Sequence, residues 1–248
     1  MTCRNPFSTR DANSDGRGLF APQTPSALLD ATPSSLREKP VYAYIVTTIK
    51  TTAAFQLHQE GSAPNFEGAR ITLCTCKHKD RATFHSSSYP DDPWKNVWVA
   101  GLTSKSDDPS RALAYLMCIE RSFLNQRELW HALPGTCRLA KSACKCELGD
   151  LYEPKAAAKK KPYDPANYCR PIDGHVHAKP NSNEWHKDIR RWGNQSRPHR
   201  LLLGREESSY RWLEVKMILK LNAMGRSAHH RIYGSLREFI DHLQAFDP

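Results

Sequence analysis

The sequence has no long apolar run and no familiar catalytic loop, and each absence excludes a class of protein. No stretch approaches the roughly 18 apolar residues that span a bilayer, and the N-terminus lacks the apolar core of a signal peptide. A Gly-rich dinucleotide loop, a P-loop, a nucleophile elbow and well-spaced paired carboxylates are also missing. We therefore expect an intracellular protein, cytoplasmic or nuclear, that has no membrane partner.

Positive charge is the main excess in the composition. The 248 residues include 36 Lys and Arg against 26 Asp and Glu, which gives a formal charge of +10. Residues 136–200 hold 14 basic and 7 acidic side chains, so this quarter of the chain carries most of the excess. Such a concentration favours contact with a polyanion, of which nucleic acid is the commonest. A solvated basic surface without a ligand would have the same composition.

Strand patterns dominate residues 40–120. Residues 71–76 alternate with period two and predict a strand that delivers Lys77 to a basic loop. Residues 97–100 predict a second strand, which we expect Gly101 to end. Residues 111–120 fit either a buried strand or part of a helix, and we prefer the strand because it matches the neighbouring pattern. Further buried strands are predicted at residues 41–47 and 201–203.

The rest of the chain mixes short helices with irregular segments. Residues 1–39 are rich in Ser, Thr, Pro, Gly and Asp and predict a disordered leader, followed by a single domain over residues 40–248. Helices are predicted after an N-cap at Asn125, over residues 213–221, and after a capping box at Ser235.

The segment 136–200 is predicted to be irregular, basic and rich in Cys and His. Within it, residues 155–161 predict an exposed insertion. The predicted fold class is therefore α+β: a small mixed or antiparallel β-barrel flanked by helices, with a long irregular basic insertion.

Eight cysteines raise the questions of zinc and of a reactive thiol. One residue separates Cys144 from Cys146, where zinc knuckles have two to four, and no second close pair follows. We therefore favour no metal site, and zinc is the one cofactor that the thiols suggest. Cys74 and Cys76 share a face of the predicted strand, where they either fill the core or include a reactive thiol. The weak candidates for a tetrahedral zinc site are Cys137, Cys144, Cys146 and Cys169.

Histidines, and aromatic residues between basic ones, supply other candidate groups. His175 and His177 would point the same way on a strand, which suits either a metal pair or an acid/base beside a phosphate ligand. Histidines that merely solvate a basic loop are an equal alternative. Residues 183–192 interleave Trp with Lys and Arg, a combination that stacks bases and neutralises phosphates. A helix with the aromatic and apolar residues in the core explains the same pattern while leaving the basic ones exposed.

Several separated pieces of the chain resemble the nucleotide-modification-associated domain family. The pieces are residues 63–66, 72–77, 97–101, 113–117 and 149–152, the His-rich stretch reaching Asp188, residues 199–203, and Gly225-Arg226 with His229. The resemblance implies a domain linked with DNA base modification and a base-binding, PUA-like barrel. It also implies a functional pocket lined by Asn65, Cys76, Lys77, Gly149, Asp150, Tyr152, Asp188 and His229.

The preferred functional hypothesis is recognition or processing of a modified nucleotide in DNA or RNA. Residues 155–200 would hold the phosphate backbone, while a pocket beside Lys77, Trp98, Asp150 and Tyr152 would select the base. The partner is accordingly a nucleic acid or nucleotide. The nucleotide-binding candidates are Asn65, Cys76, Lys77, Trp98, Tyr152, Lys187, Arg190, Arg191 and Arg226.

Two alternatives belong to other functional classes. One is a hydrolase or transferase that acts on a nucleotide with a His/Asp site, with or without a metal. The other is a protein-interaction domain with a basic surface. The catalytic candidates are Asp150, His175, His177, Asp188 and His229, with His186 as a further acid/base candidate.

Overall fold

The structure is a computed structural model of the 248-residue chain. It describes residues 21–61, 63–75, 77–83, 92–104, 111–143, 150–169, 185–190, 199–220, 223–224 and 229–247. The chain divides into two compact units. Unit 1 contains the described residues of 61–95 and 120–204, and unit 2 contains those of 4–60, 96–119 and 205–248.

Short strands and short helices alternate along the described residues. The strands are β1 (Val41–Val46), β2 (Ile49–Thr51), β3 (Leu57–Gln59), β4 (Thr72–Leu73), β5 (Trp98–Thr103), β6 (Arg111–Phe123), β7 (Leu201–Arg211), β8 (Met217–Leu219), β9 (His230–Tyr233) and β10 (Leu243–Ala245). The helices are α1 (Pro25–Ala31), α2 (Ser34–Arg37), α3 (His78–Arg81), α4 (Gln126–Ala132), α5 (Gly135–Ala143), α6 (His186–Ile189) and α7 (Leu236–Asp241). Two 3-10 turns cover Ala156–Lys159 and Pro165–Asn167.

Unit 2 is organised on a path of six strands in the order β10, β8, β6, β5, β1, β9. Strands β1 and β5 run parallel, and the other neighbouring pairs run antiparallel. Every residue of β1 and β5 is buried, as expected for strands covered on both faces. The sheet is curled into a half-barrel. The predicted α+β class with a mixed sheet is confirmed, and the curled sheet is compatible with the predicted barrel.

A close contact between β5 and β6 explains Gly101. A Cβ atom at this position would lie 2.0 Å from Cε1 of Tyr115, so only glycine leaves room for the ring. The hydroxyl of Tyr115 forms a buried hydrogen bond of 2.6 Å with the hydroxyl of Tyr44. The prediction that the strand ends at Gly101 is wrong, because β5 continues to Thr103 after a register shift beside the glycine.

The last part of the predicted leader is helical. The hydroxyl of Thr24 accepts a hydrogen bond from the amide of Ala27 and caps α1, and Leu28 on this helix is fully buried. The composition predicts disorder here because the segment has few apolar residues. A single well-placed leucine, a cap and a proline in the first turn suffice for a helix that packs on the rest of unit 2. Residues 1–20 lie outside the described part of the chain.

Two indole groups hold the same N-terminal segment. The N–H of Trp98 donates to the carbonyl of Leu36 at 2.9 Å, and the N–H of Trp212 donates to the carbonyl of Pro22 at 2.7 Å. Both tryptophans are almost completely buried. Each indole N–H thus has a hydrogen-bond acceptor, which is a backbone carbonyl in or beside a helix of the N-terminal segment.

Unit 1 contains little β structure and several short helices. Strand β4 pairs antiparallel with Leu202 and Leu203 at the start of β7. The side chain of Asn125 caps α4, as predicted, and accepts from the amide of Glu128 at 3.0 Å. Helix α5 corrects the prediction that the chain is irregular after residue 135. Its buried residues, Cys137 and Lys141, are four apart and therefore share one face.

Residues 153–169 form a loop closed at its base. Pro154 and Tyr168 form a β-bridge, and the amide of Lys155 donates to the carbonyl of Asn167 at 2.8 Å. Ala158, in the middle of the predicted exposed insertion, is fully buried, whereas residues 159–161 are exposed as expected. The loop therefore presents its lysines from a fixed base.

Of the remaining predicted helices and strands, some are confirmed and others are wrong. The strand preferred for residues 111–120 is confirmed by β6, and the capped C-terminal helix is confirmed by α7. The helix predicted over residues 213–221 is wrong, because Met217–Leu219 is strand β8, which pairs with β6 and β10. The strand predicted over residues 71–76 is reduced to β4. Among the helices of the described residues, none has the length and apolar character needed to cross a membrane.

Candidate functional site

Four polar side chains are buried together in unit 1. Asn65 precedes β4, Thr72 begins β4, Lys141 lies on α5, and Asp150 follows that helix in sequence. Each is at most 2% exposed. Lysine and aspartate are almost never buried to this extent unless they are paired. We refer to these four residues as the polar cluster.

Hydrogen bonds join the members of the polar cluster. The backbones of Asn65 and Thr72 exchange two hydrogen bonds, of 2.9 and 3.1 Å. The Thr72 hydroxyl lies 3.3 and 3.2 Å from the two carboxylate oxygens of Asp150, to which it donates. Lys141 Nζ donates to the backbone carbonyl of Asn65 at 3.0 Å and to its side-chain Oδ1 at 3.2 Å. The ammonium group is therefore held at the asparagine.

The charges of the polar cluster act in opposite directions on Asp150. Burial raises the pKa of the Asp150 carboxyl group, because a buried carboxylate loses its hydration. The positive charge of Lys141 opposes this rise, as do hydrogen bonds from Cys74, Thr72 and Asn65. Burial outweighs these opposing contacts, so the net effect is a pKa of the Asp150 carboxyl group above its usual value.

Cys74 sits beside this carboxyl group and is inert as a thiol. It is completely buried, and this burial raises the pKa of the Cys74 thiol well above its usual range. The negative charge of the nearby Asp150 is a second, smaller cause of the same shift. A nucleophilic cysteine needs the opposite shift and an accessible setting. Of the two alternatives for this residue, the structure favours the apolar core. Cys76 lies outside the described residues.

Gln126, the first residue of α4, connects the polar cluster to a second group. Its side-chain Nε2 donates to the backbone carbonyl of Asp150 at 3.1 Å, and its Oε1 accepts from the amide of Tyr152 at 3.4 Å. This buried amide therefore fixes the backbone between the two residues. Asp150 and Tyr152 flank Leu151 in sequence, and Gln126 fixes the backbone of both.

The second group is aromatic. Tyr152 donates its hydroxyl to Oδ2 of Asp188 at 3.1 Å, and its ring lies 5.5 Å from that of Trp185. Trp185 is 5% exposed, as the core interpretation of residues 183–192 predicts. We refer to the following residues as the aromatic cluster: Tyr152, Ala158, Tyr168, Trp185 and Ile189.

Basic side chains project from the same elements. Lys187 and Arg190 are exposed on and beside α6, and residues 159–161, all lysine, are exposed on the closed loop. Ala158 and Ile189, in the same two segments, belong to the aromatic cluster. The segments thus bury apolar groups and expose positive ones.

Lys77 is partly exposed, has a positive φ of 49°, and lies 3.9 Å from the carboxylate of Asp80.

The structure brings together only part of the predicted site. Asn65, Lys77, Asp150, Tyr152, His186, Lys187, Asp188 and Arg190 belong to unit 1, whereas Trp98 and His229 belong to unit 2. The structure leaves these predicted residues undescribed: Cys76, Cys144, Cys146, Gly149, His175, His177, Arg191 and Arg226.

No metal centre forms among the residues that can be assessed. Within the described ranges, no three His, Cys, Asp or Glu side chains form a group that could hold a metal ion. Of the four zinc candidates, Cys137 is buried on α5 and Cys169 is exposed. The close pair at 144 and 146 falls in the undescribed gap before Asp150, so the zinc prediction stays a prediction.

Sequence reasoning missed three members of the network. Lys141 and Gln126 belong to no motif, and the pattern around Thr72 indicates only a strand residue. A detectable signal exists for Lys141, because it follows Cys137 by four residues and would share the buried face of any helix there. No local signal distinguishes Gln126 from other residues in a first helical turn.

Comparison with known proteins adds nothing to these contacts. No family model, curated protein or solved structure matches the chain. The resemblance to the nucleotide-modification-associated domain family thus depends on the quoted sequence pieces alone, and the functional argument depends on the geometry of unit 1.

Proposed function

We propose that the protein recognises a modified nucleotide in DNA or RNA, with the base selected by unit 1 and the phosphates held by exposed basic side chains. One observation carries this proposal. Asn65, Asp150, Tyr152 and Asp188, all suggested by the family resemblance, are buried in one unit and joined in two hydrogen-bonded groups that Gln126 connects.

The chemistry of these groups suits a nucleobase. Amide and carboxyl groups can pair with the donor and acceptor pattern of a base edge, and aromatic rings can stack on its faces. The polar cluster supplies the first kind of group, and Tyr152 and Trp185 supply the second. A partly buried base would leave its phosphates at the surface, where the exposed lysines of the closed loop offer a positive charge that carries no sequence information.

A binding experiment with two variants tests the proposal. Fluorescence anisotropy would follow single- and double-stranded DNA and RNA, each with and without modified bases, at several salt concentrations. Asp150→Asn should reduce the preference for the modified base, because it alters the polar cluster. Replacing Lys159, Lys160 and Lys161 by Gln should weaken binding to all sequences alike. The salt slope should also fall, by about one for each phosphate that a lysine no longer neutralises.

The matched control removes three exposed lysines elsewhere: Lys50, Lys95 and Lys220, each replaced by Gln. It changes the net charge equally, so it separates a local surface from a general charge effect. The proposal is overturned if binding to every nucleic acid tested is undetectable or insensitive to salt. That result would leave the protein-interaction alternative.

The enzymatic alternative is a hydrolase or transferase that acts on the same nucleotide. It is favoured by the buried position of Asp150, whose raised pKa is typical of carboxyl groups that donate or accept protons in catalysis. Mass spectrometry of the incubated oligonucleotides would detect turnover, and elemental analysis for zinc, iron and manganese would test a metal-dependent form. An unchanged oligonucleotide mass under all conditions would remove this alternative.

A further inference from the structure

The indole nitrogen of Trp185 is buried without a hydrogen-bond partner. Among the described residues, no atom accepts from its N–H, although the side chain is only 5% exposed. A buried donor without an acceptor costs about 1–3 kcal/mol, so it is uncommon in a native protein and needs an explanation.

Three other buried tryptophans make the exception clear. Trp94 donates to the carbonyl of Arg81 at 3.1 Å, Trp98 to that of Leu36 at 2.9 Å, and Trp212 to that of Pro22 at 2.7 Å. In each case a backbone carbonyl satisfies the indole. Within the described part of the chain, the indole that stays open lies beside Tyr152 in the aromatic cluster.

The amide of Asn65 in the polar cluster already has polar neighbours on both sides. Its Nδ2 lies beside the Asp150 carboxyl group, whose pKa this contact lowers, and its Oδ1 accepts from Lys141 and from the amide of Glu67. In the described parts of these two clusters, Trp185 therefore supplies the donor that stays open.

The open group at Trp185 can act only as a donor, because an indole N–H has no acceptor capacity. It would pair with a ligand that presents an oxygen acceptor. A ligand amino group in the same place would meet it with a second donor, and no hydrogen bond would form.

We propose that the Trp185 N–H contacts the bound nucleotide directly, and that the favoured base carries a carbonyl oxygen where an unfavoured base carries an exocyclic amine. The inference rests on the proposed function and names its substrate class. Thymine, uracil, guanine and their oxygen-bearing derivatives belong to this class, and adenine and cytosine do not. A site that hydrogen-bonds one feature of its ligand discriminates strongly against the analogue that lacks it.

Two nucleotides that share the C5 methyl group test the substrate class: they differ at C4 and, in consequence, at N3, which carries a proton in thymine and none in 5-methylcytosine. The probes are thymidine 5′-monophosphate, with an oxygen at C4, and 5-methyl-2′-deoxycytidine 5′-monophosphate, with an amine. Isothermal titration calorimetry should give tighter binding of the first by about tenfold, the value of one hydrogen bond. Equal affinities, or tighter binding of the amine, would overturn the inference while leaving nucleotide binding established.

The substitution Trp185→Phe tests the residue. It keeps an aromatic ring but removes the donor, so thymidine 5′-monophosphate should bind about tenfold more weakly. Both Trp185→Phe and its control remove part of a buried ring, so both should lower the unfolding midpoint in urea. Trp185→Phe should lower it less, because its N–H has no partner in the described structure and no hydrogen bond is lost. The control is Trp212→Phe in unit 2, which loses a buried hydrogen bond and should lower the midpoint without changing affinity.

The results separate the two levels of argument. If the wild-type protein binds neither mononucleotide nor any oligonucleotide, the proposed function fails, and this inference fails with it. If the wild type binds but Trp185→Phe binds equally well, the inference alone is wrong. It is also wrong if Trp185→Phe lowers the unfolding midpoint as much as Trp212→Phe does, since the indole would then already be paired.

Discussion

A buried tyrosine pair in unit 2 and the polar cluster in unit 1 are polar interactions of different kinds. In unit 2, Tyr44 and Tyr115 share a neutral hydrogen bond between strands that are buried on both faces. In unit 1, Lys141 is buried near the end of α5, and Asp150 is buried outside any helix or strand. Burying charges costs more than burying hydroxyls, and apolar replacements are often as stable. The tyrosine pair is therefore a contact of low desolvation cost, whereas the polar cluster of unit 1 retains charged groups that stability alone does not require.

The largest effect is expected for Lys141→Met in unit 1. Removing the ammonium group takes away the largest influence that favours ionised Asp150, and it removes one of the two donors to each of the carbonyl and Oδ1 of Asn65. Chemical denaturation should show a loss of about 3–5 kcal/mol in the free energy of unfolding, as for other broken buried charge pairs. The double variant with Asp150→Asn should recover part of that loss. The exposed Lys160→Met is the control and should change stability by less than about 0.5 kcal/mol.

Gly101→Ala should have the largest effect of a small substitution in unit 2. The added methyl group would lie 2.0 Å from the Tyr115 ring, so the ring or a strand must move, at a cost of about 1–3 kcal/mol. The matched control is Gly135→Ala at the start of α5, where a Cβ would meet nothing within 4 Å. It should be neutral or slightly stabilising. A loss at Gly135 as large as at Gly101 would contradict the packing explanation.

Removing one hydroxyl of the tyrosine pair should cost about 1–2 kcal/mol, less than removing the buried charge of unit 1. We expect this for both Tyr44→Phe and Tyr115→Phe, measured by urea unfolding. The double variant should lose less than the sum of the two single losses, because both single changes break the same 2.6 Å hydrogen bond. Strict additivity would mean that the hydroxyl groups do not stabilise each other.

The smallest effect is expected where the units resemble each other. Asn125 caps α4 in unit 1, and Ser235 caps α7 in unit 2. In both, a Glu three residues later accepts a hydrogen bond from the backbone amide just before the capping residue. Asn125→Ala and Ser235→Ala should each cost about 1 kcal/mol. Similar losses would show that the units differ in their buried groups rather than in how their helices begin.

Local patterns made part of this fold predictable. A capping residue followed by an apolar helical pattern was sufficient for α4 and α7, because both signals involve neighbouring residues. The long apolar run of β6 was predictable for the same reason. Strand β8 was missed because its three residues acquire strand geometry from β6 and β10, which are separate segments of the chain.

The candidate site was less predictable than the fold. Asp150 and Tyr152 were found through a resemblance, but nothing near Lys141 or Gln126 in sequence indicates that they meet Asn65 and Asp150. Such contacts depend on how four separated segments pack. The open N–H of Trp185 was equally invisible, because the sequence pattern indicates a buried indole but not the absence of an acceptor in the described structure.

The two indoles that reach back to Pro22 and Leu36 set a practical boundary for anyone who shortens this chain. A recombinant version starting at residue 40 would keep every strand of unit 2. The N–H groups of Trp98 and Trp212 would lose their acceptors, and the buried Leu28 of α1 would be missing. Trimming should therefore stop before residue 21, even though the composition of the segment invites its deletion.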